Sequence, residues 1–313
     1  MGPFSSSPSE QFPENAKHFL GRGASLSLPA TQAPGAWAGQ LCSPAVSVVQ
    51  AIVLGAVQGL TEFIPISSSG HLVIVPELMG WSEPGLAFDV WLHVASLLAL
   101  LVYFSGDLLD LARGARARDP VARKLVVLLA VGTVPAAVAG ILLGDYFEET
   151  FTDAPSAALQ LLITAVILVV AERSLAYHER RTAEEGRRLR PMDDLKPLDA
   201  GIIGIAQAVS ILPGISRSGS TIGAGLVLGV SREDSARFAF LLAIPALAGA
   251  ALVKVPDLSG TSLGLGAGVA GFAASLVTSY AAIFALIRYL RTNTLYPFAA
   301  YCLVAGVLFY VLL

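Results

Sequence analysis

Between residues 58 and 71 the chain reads Gln-Gly-Leu-Thr-Glu-Phe-Ile-Pro-Ile-Ser-Ser-Ser-Gly-His, inside strongly apolar flanks. On a helix, Gln58 and Glu62 stack on one face, and a carboxylate projecting from an apolar segment is costly unless it is partnered or functional. The helix must end near Pro65, which has no N–H and disfavours helix in the residue before it. Ser67, Ser68, Ser69, Gly70 and His71 follow at once. The break therefore presents an acid, hydroxyls, backbone N–H groups and an imidazole together. In hydrocarbon, such a break survives only where protein or a water-filled cavity satisfies the freed backbone groups, so the stretch is expected to line a pocket.

A second stretch, Gln207 to Thr221, reads Gln-Ala-Val-Ser-Ile-Leu-Pro-Gly-Ile-Ser-Arg-Ser-Gly-Ser-Thr. A shift of 149 positions superposes Gly55 on Gly204, Gln58 on Gln207, Ile66 on Ile215, Ser67 on Ser216, Ser69 on Ser218 and Gly70 on Gly219. That agreement marks an internal repeat. The differences carry the chemistry: Glu62 is matched by Ile211, Ser68 by Arg217 and His71 by Ser220. A guanidinium beside Ser216, Ser218 and Thr221, at a helix N-terminus containing Gly219, is an anion site whose planar fork suits phosphate oxygens. Glu62 and His71 beside a phosphate point to metal binding or proton transfer, hence to hydrolysis. Plainer roles compete: charge balance between Arg217 and Glu62, a core position for His71, and packing or capping by the serines. Gln58 and Gln207 are expected first to tie the broken helices together, with substrate contact second. Asp89 and His93, four apart at the start of a span, read as a structural pair near the external interface.

The elements that must position these residues are membrane elements. Of 313 residues, 55% are hydrophobic and 14% charged, against roughly 25% charged in a soluble domain, and the mean hydropathy is +0.69. A net charge of -3 argues against nucleic acid, and Cys42 and Cys302 have no metal-ligand or redox spacing. Residues 1–45, rich in Ser, Pro, Gly and Ala, are expected to be a disordered extension, and 46–313 a single membrane domain.

Within that domain, full-length spans are expected near 86–104, 124–144, 157–173, 235–254, 264–287 and 295–313. Arg113, Arg116, Arg118, Arg123 and Lys124 crowd one loop, whereas the next holds Asp145, Glu148, Glu149 and Asp153 without a basic residue. By loop charge the first is cytoplasmic and the second external. The segment from Arg173 to Lys196 returns to the cytoplasm, and the 255–263 loop is external. Repeat one (46–176) and repeat two (198–313), joined by the basic loop 177–197, then each contain a re-entrant helical hairpin and three spans. Three is odd, so the halves are expected to have inverted topology with their hairpin tips meeting near the midplane.

At these two motifs the sequence resembles the undecaprenyl-diphosphate phosphatase family, the bacitracin-resistance type of integral membrane phosphatase. The resemblance covers about residues 46–313 and implies hydrolysis of a C55 polyprenyl diphosphate to monophosphate and inorganic phosphate, recycling the lipid carrier of cell-wall synthesis. It also implies a divalent cation, Mg2+ or Ca2+, and an all-α multi-pass protein of a bacterial inner membrane whose site opens externally. By position, Glu62 belongs with metal and water handling, Ser68 and His71 with attack on phosphorus, and Arg217 with phosphate binding. Gln58, Ser67, Ser69, Gly70, Gln207, Ser216, Ser218, Gly219 and Thr221 are the expected substrate contacts. The family often carries a second glutamate where this chain has Gln58; magnesium can be held by one carboxylate plus substrate phosphates. The long N-terminal tail is outside the family pattern. A homodimer stays open, and the alternative function is a polyprenyl-phosphate flippase or proton-coupled carrier.

Overall fold

The computed structural model describes residues 46–82, 84–150, 154–212, 214–254 and 264–312, without the side chains of 144–150. The extension 1–45, Pro213 and the 255–263 loop lie outside the described residues. The described part is all-helical: eleven α-helices, one 3-10 turn (Met192–Asp194) and no β-strand.

The first motif builds a helix–break–helix. α1 (Val48–Phe63) starts at a capping box in which Ser47 Oγ accepts from Gln50 N and Gln50 Oε1 accepts from Ser47 N. It stops where Pro65 dictates, with Ile64 already extended. α2 (Ser68–Met79) is capped by Ser67, whose Oγ accepts from Gly70 N at 3.3 Å, and ends on Gly80 in the left-handed region. The second motif repeats the device: α7 (Pro197–Val209), then α8 (Arg217–Val227) capped by Ser216, whose Oγ accepts from Gly219 N at 3.0 Å. At 1.5 Å per residue each arm is roughly 24 Å or shorter, less than the ~30 Å hydrocarbon core.

Five helices are long and apolar enough to cross a membrane: α3 (Leu86–Tyr103), α5 (Pro120–Thr150), α6 (Ala154–Glu184), α9 (Arg232–Lys254) and α10 (Leu265–Leu290). The sixth expected span, α11 (Tyr296–Leu312), has 17 residues, at the short end of what can cross. The protein is a multi-pass membrane protein.

Three boundaries differ from the sequence expectation. The basic loop after α3 contains a helix, α4 (Ser105–Arg116), with no buried residue; its low hydropathy hid it from a search for spans. α5 continues through Thr150 into the expected acidic loop. α6 carries its helix on to Glu184, far into the expected basic loop. Charged residues do not by themselves end a helix.

The halves are interleaved. α1 packs along α10, and its repeat counterpart α7 packs along α5. Glycines make both contacts possible: a Cβ on Gly55 would collide with the Gly271 carbonyl, and one on Gly204 with the Gly132 carbonyl. Without a hydrophobic force between helices in lipid, such close backbone approach supplies the packing energy. Around it runs one large core cluster containing Phe63, Phe104, Leu168, Ile222, Phe240 and Ile283, with Phe63 edge-on to Phe240 at 5.4 Å between ring centroids.

Two ion-pair clusters tie helix ends together. Glu172, 1% exposed, takes Arg232 in a bidentate grip (2.7 and 3.0 Å) and also accepts from Leu295 N at 2.7 Å, while Arg232 Nη1 reaches Glu179 at 2.7 Å. Arg190 joins Asp199 at 2.5 Å and donates to the Leu228 and Asp194 carbonyls. Burial disfavours the Asp199 carboxylate, but Arg190 and the Lys196 N–H outweigh it and hold the group below the usual aspartate range.

Candidate active site

The hairpin breaks meet. Ser69 Oγ accepts from Gly214 N at 3.0 Å, and Ser218 Oγ donates to the Ile64 carbonyl at 3.3 Å. Thr164, on α6, holds the second turn from behind: its Oγ1 accepts from Ser216 N at 3.1 Å and donates to the Gly214 carbonyl at 3.4 Å. At the first turn Ser67 sits at φ +70°, a left-handed backbone that L residues other than Gly, Asn and Asp seldom adopt. Strain of this kind is held by its surroundings and is typical of functional turns.

Glu62 is the centre of the assembly. Its side chain is 2% exposed, and Oε2 accepts from Gln58 Nε2 at 3.0 Å and from Ser68 Oγ at 2.5 Å. Arg217 Nη2 pairs with Oε1. His93 Nε2 faces Oε2 at 3.6 Å, while His93 Nδ1 is 2.8 Å from the Asp89 carbonyl, which fixes Nδ1–H as donor and turns Nε2 to the carboxylate. A hydroxyl that donates to a carboxylate, itself oriented by an amide and a guanidinium, is a nucleophile–base arrangement. Arg217 spends Nη2 on Glu62 and leaves the rest of its fork for another anion.

These groups close one end of a cavity of about 510 Å³. Glu62, Ser67, Ser68, Ser69, Gln207, Ser216 and Arg217, all singled out from sequence, line it. Gln58 stands behind Glu62, fully buried, with Oε1 lacking a protein partner. Gly70 and Gly219 supply cap N–H groups, and Thr221 Oγ1 donates to the Arg217 carbonyl at 2.8 Å, bracing the turn that carries it. Ser218 and Thr221 face a separate void of about 10 Å³ on the far side of the Glu62–Arg217 pair, room for about one water.

His71 is not brought to the cavity. Its Nδ1 lies 2.6 Å from the Ser67 carbonyl, its Nε2 2.7 Å from Tyr301 Oη, and its ring stacks on Tyr301. Both nitrogens are occupied, and the ring ties α2 to α11. The imidazole at the carboxylate is His93, which the sequence reading set aside as structural. Its signal was its place with Asp89 as a polar pair, four residues apart, at the start of an apolar span. Thr164 gave no signal at all.

The family model described as bacitracin resistance protein BacA matches residues 51–308. The chain belongs to that family. BacA-family membership agrees with the similarity to named relatives. A protein of Pelobacter propionicus named undecaprenyl-diphosphatase is 40% identical over 270 residues, covering 83% of this chain and 95% of the relative. One of the same name from Gemmatimonas aurantiaca is 41% identical over 271 residues, covering 84% and 96%. Another from Idiomarina loihiensis is 39% identical over 272 residues, covering 84% and 98%. The BacA match spans α1 through most of α11 and so includes both hairpins and the cavity between them.

Proposed function

We propose that this chain hydrolyses undecaprenyl diphosphate to undecaprenyl phosphate and inorganic phosphate. The observation that carries the proposal is Ser68 Oγ at 2.5 Å from Glu62 Oε2, with Arg217 on the other carboxylate oxygen, at the polar end of an apolar cavity. Ser68 Oγ attacks the terminal phosphorus while Glu62 takes its proton; the bond from phosphorus to the bridging oxygen breaks, and the lipid monophosphate leaves. Water then attacks the phosphoserine, Ser68 is regenerated and phosphate departs. Arg217, through the donors it does not spend on Glu62, stabilises the equatorial oxygens, where charge is redistributed in the transition state. His93 Nε2 stands 3.6 Å from Glu62 Oε2, the oxygen that accepts from Ser68.

A divalent cation, Mg2+ or Ca2+, fits the donors present. Glu62 and the serine hydroxyls that line the cavity are hard oxygen ligands, and substrate phosphates complete such sites. The cation would neutralise phosphate charge. The family resemblance favours a bacterial inner membrane, and the loop charges favour a site on the external side, since the cavity reaches Gly140, Ile141, Val253 and Lys254 in the halves of α5 and α9 read as external. Inverted repeats are the architecture we favour, supported by the exchange of partners between α1–α10 and α7–α5. The same architecture would serve a carrier, but a carrier needs no hydroxyl against a carboxylate.

The deciding assay is phosphate release from undecaprenyl diphosphate by purified protein, with and without divalent cation. Parent protein should release phosphate, and Ser68→Ala and Glu62→Gln should each lose roughly a hundredfold or more. No release by the parent, with lipid phosphate crossing vesicles instead, would favour the carrier. Near-parental release by Ser68→Ala would give the attack to water.

A further inference from the structure

Glu62 and His93 come from different helices, α1 and α3, and both line the cavity. His93 Nδ1 is committed to the Asp89 carbonyl at 2.8 Å. A carbonyl only accepts, so Nδ1 carries the hydrogen and Nε2 keeps a lone pair. That lone pair faces Glu62 Oε2 at 3.6 Å, so two acceptors face one another. The separation is too long for a hydrogen bond. It is the spacing a shared cation produces: two ligand atoms each roughly 2.1 Å from one ion, at a tetrahedral angle, stand about 3.4 Å apart.

The surroundings are those of a ligand pair. A histidine that binds metal almost always gives its other N–H to a carbonyl or carboxylate, which fixes its tautomer, and Asp89 O takes that part here. Gln58 Nε2 orients Oε2 from behind at 3.0 Å, and Arg217 holds Oε1, which leaves Oε2 as the oxygen for a cation. Ser68 Oγ, 2.5 Å from Oε2, is a third oxygen or nitrogen donor at the same point. The His93 side chain is 32% exposed, so the pair can be reached from the cavity. His71 does not compete for this part, because Ser67 O and Tyr301 Oη engage both of its nitrogens.

We propose that His93 Nε2 and Glu62 Oε2 together hold the divalent cation, and that the nitrogen makes the site select a first-row transition ion over Mg2+ or Ca2+. The proposal rests on the cation placed at Glu62 above. Sites built from oxygen alone suit Mg2+ and Ca2+, whereas an imidazole shifts preference towards ions such as Co2+ and Zn2+. With so few protein ligands, positions stay open for phosphate oxygens and water, as in catalytic rather than structural metal sites.

The test is cation binding by the purified protein in detergent. Isothermal titration compares Co2+ with Mg2+, and electron spin-echo spectroscopy of bound Mn2+ registers a directly bound nitrogen. The parent should bind Co2+ about tenfold or more tighter than Mg2+ and show the nitrogen signal. Partners that merely orient a metal ligand are worth roughly 10–100-fold in affinity, so His93→Ala should weaken Co2+ by at least about tenfold and erase the signal. His93→Gln, which keeps much of the side chain and offers an amide oxygen, should erase the signal while Mg2+ binding persists. A parent without the nitrogen signal, or with no preference for Co2+, overturns the proposal, as does an intact signal in either variant. None of these readouts needs turnover. A nitrogen-bound cation in a protein that releases no phosphate from undecaprenyl diphosphate supports this site and sinks the proposed activity; release with no nitrogen on the cation does the reverse.

Discussion

At the scale of single residues, the Glu62–Arg217 pair admits two roles that one substitution separates. If Arg217 only neutralises Glu62, an ammonium supplies the same charge. If its remaining donors grip phosphate, Lys cannot reproduce the planar fork. Arg217→Lys should therefore fold and melt like the parent yet lose roughly a hundredfold or more in kcat, a few kcal/mol of transition-state stabilisation. Near-parental turnover would leave Arg217 as a charge balancer. The two histidines make a second contrast. His93→Ala should cut turnover by about tenfold or more without moving the melting temperature, because His93 faces the carboxylate from a partly open wall. His71→Ala should lower the melting temperature first, because it deletes the link from Ser67 to Tyr301. The opposite pattern would return His71 to the chemistry.

At the scale of elements, the hairpins were legible because proline, serine caps and glycine have fixed backbone consequences. Gln58, Glu62 and Pro65 place the acid on the last turn of a broken helix whatever surrounds it. Which imidazole meets that acid depends on how α3 lies against α1, and spacing within a single helix does not encode that. The Arg232 cluster was hidden for the same reason: nothing in the spacing of Glu172, Glu179 and Arg232 pairs them, yet helix packing buries Glu172 against Arg232. Breaking a buried pair by removing one partner strands the other charge. Glu172→Ala should cost about 3–5 kcal/mol, seen as a lowered melting temperature in detergent, with kcat nearly parental in the surviving fold. Unchanged melting would show that Arg232 finds sufficient solvation from Glu179 alone.

At the scale of the whole molecule, the repeat of 149 residues and the alternating loop charges predict which ends share a side. Cysteines placed at 151–153 and at 255–263 should react with an impermeant thiol reagent added outside intact cells, and one at 187 or 188 only after permeabilisation. Two of these on the wrong side would sink the inverted arrangement. The class of fold was legible from composition and the motifs from chemistry. Helix ends were not, since α4 and the extensions of α5 and α6 are helical stretches that a search for apolar spans passes over.

The glycine contacts between the halves have a consequence for synthesis. The ribosome makes Gly55 long before Gly271, and among the described residues it is α10 that α1 packs along. The second hairpin faces no such delay, because Gly132 already exists when Gly204 emerges. The hairpin that carries Glu62 therefore spends most of translation without its partner. A chain that stops before α10 can seat α7 on α5 but leaves α1 without its groove, so the acid is the last part of the site to find its place.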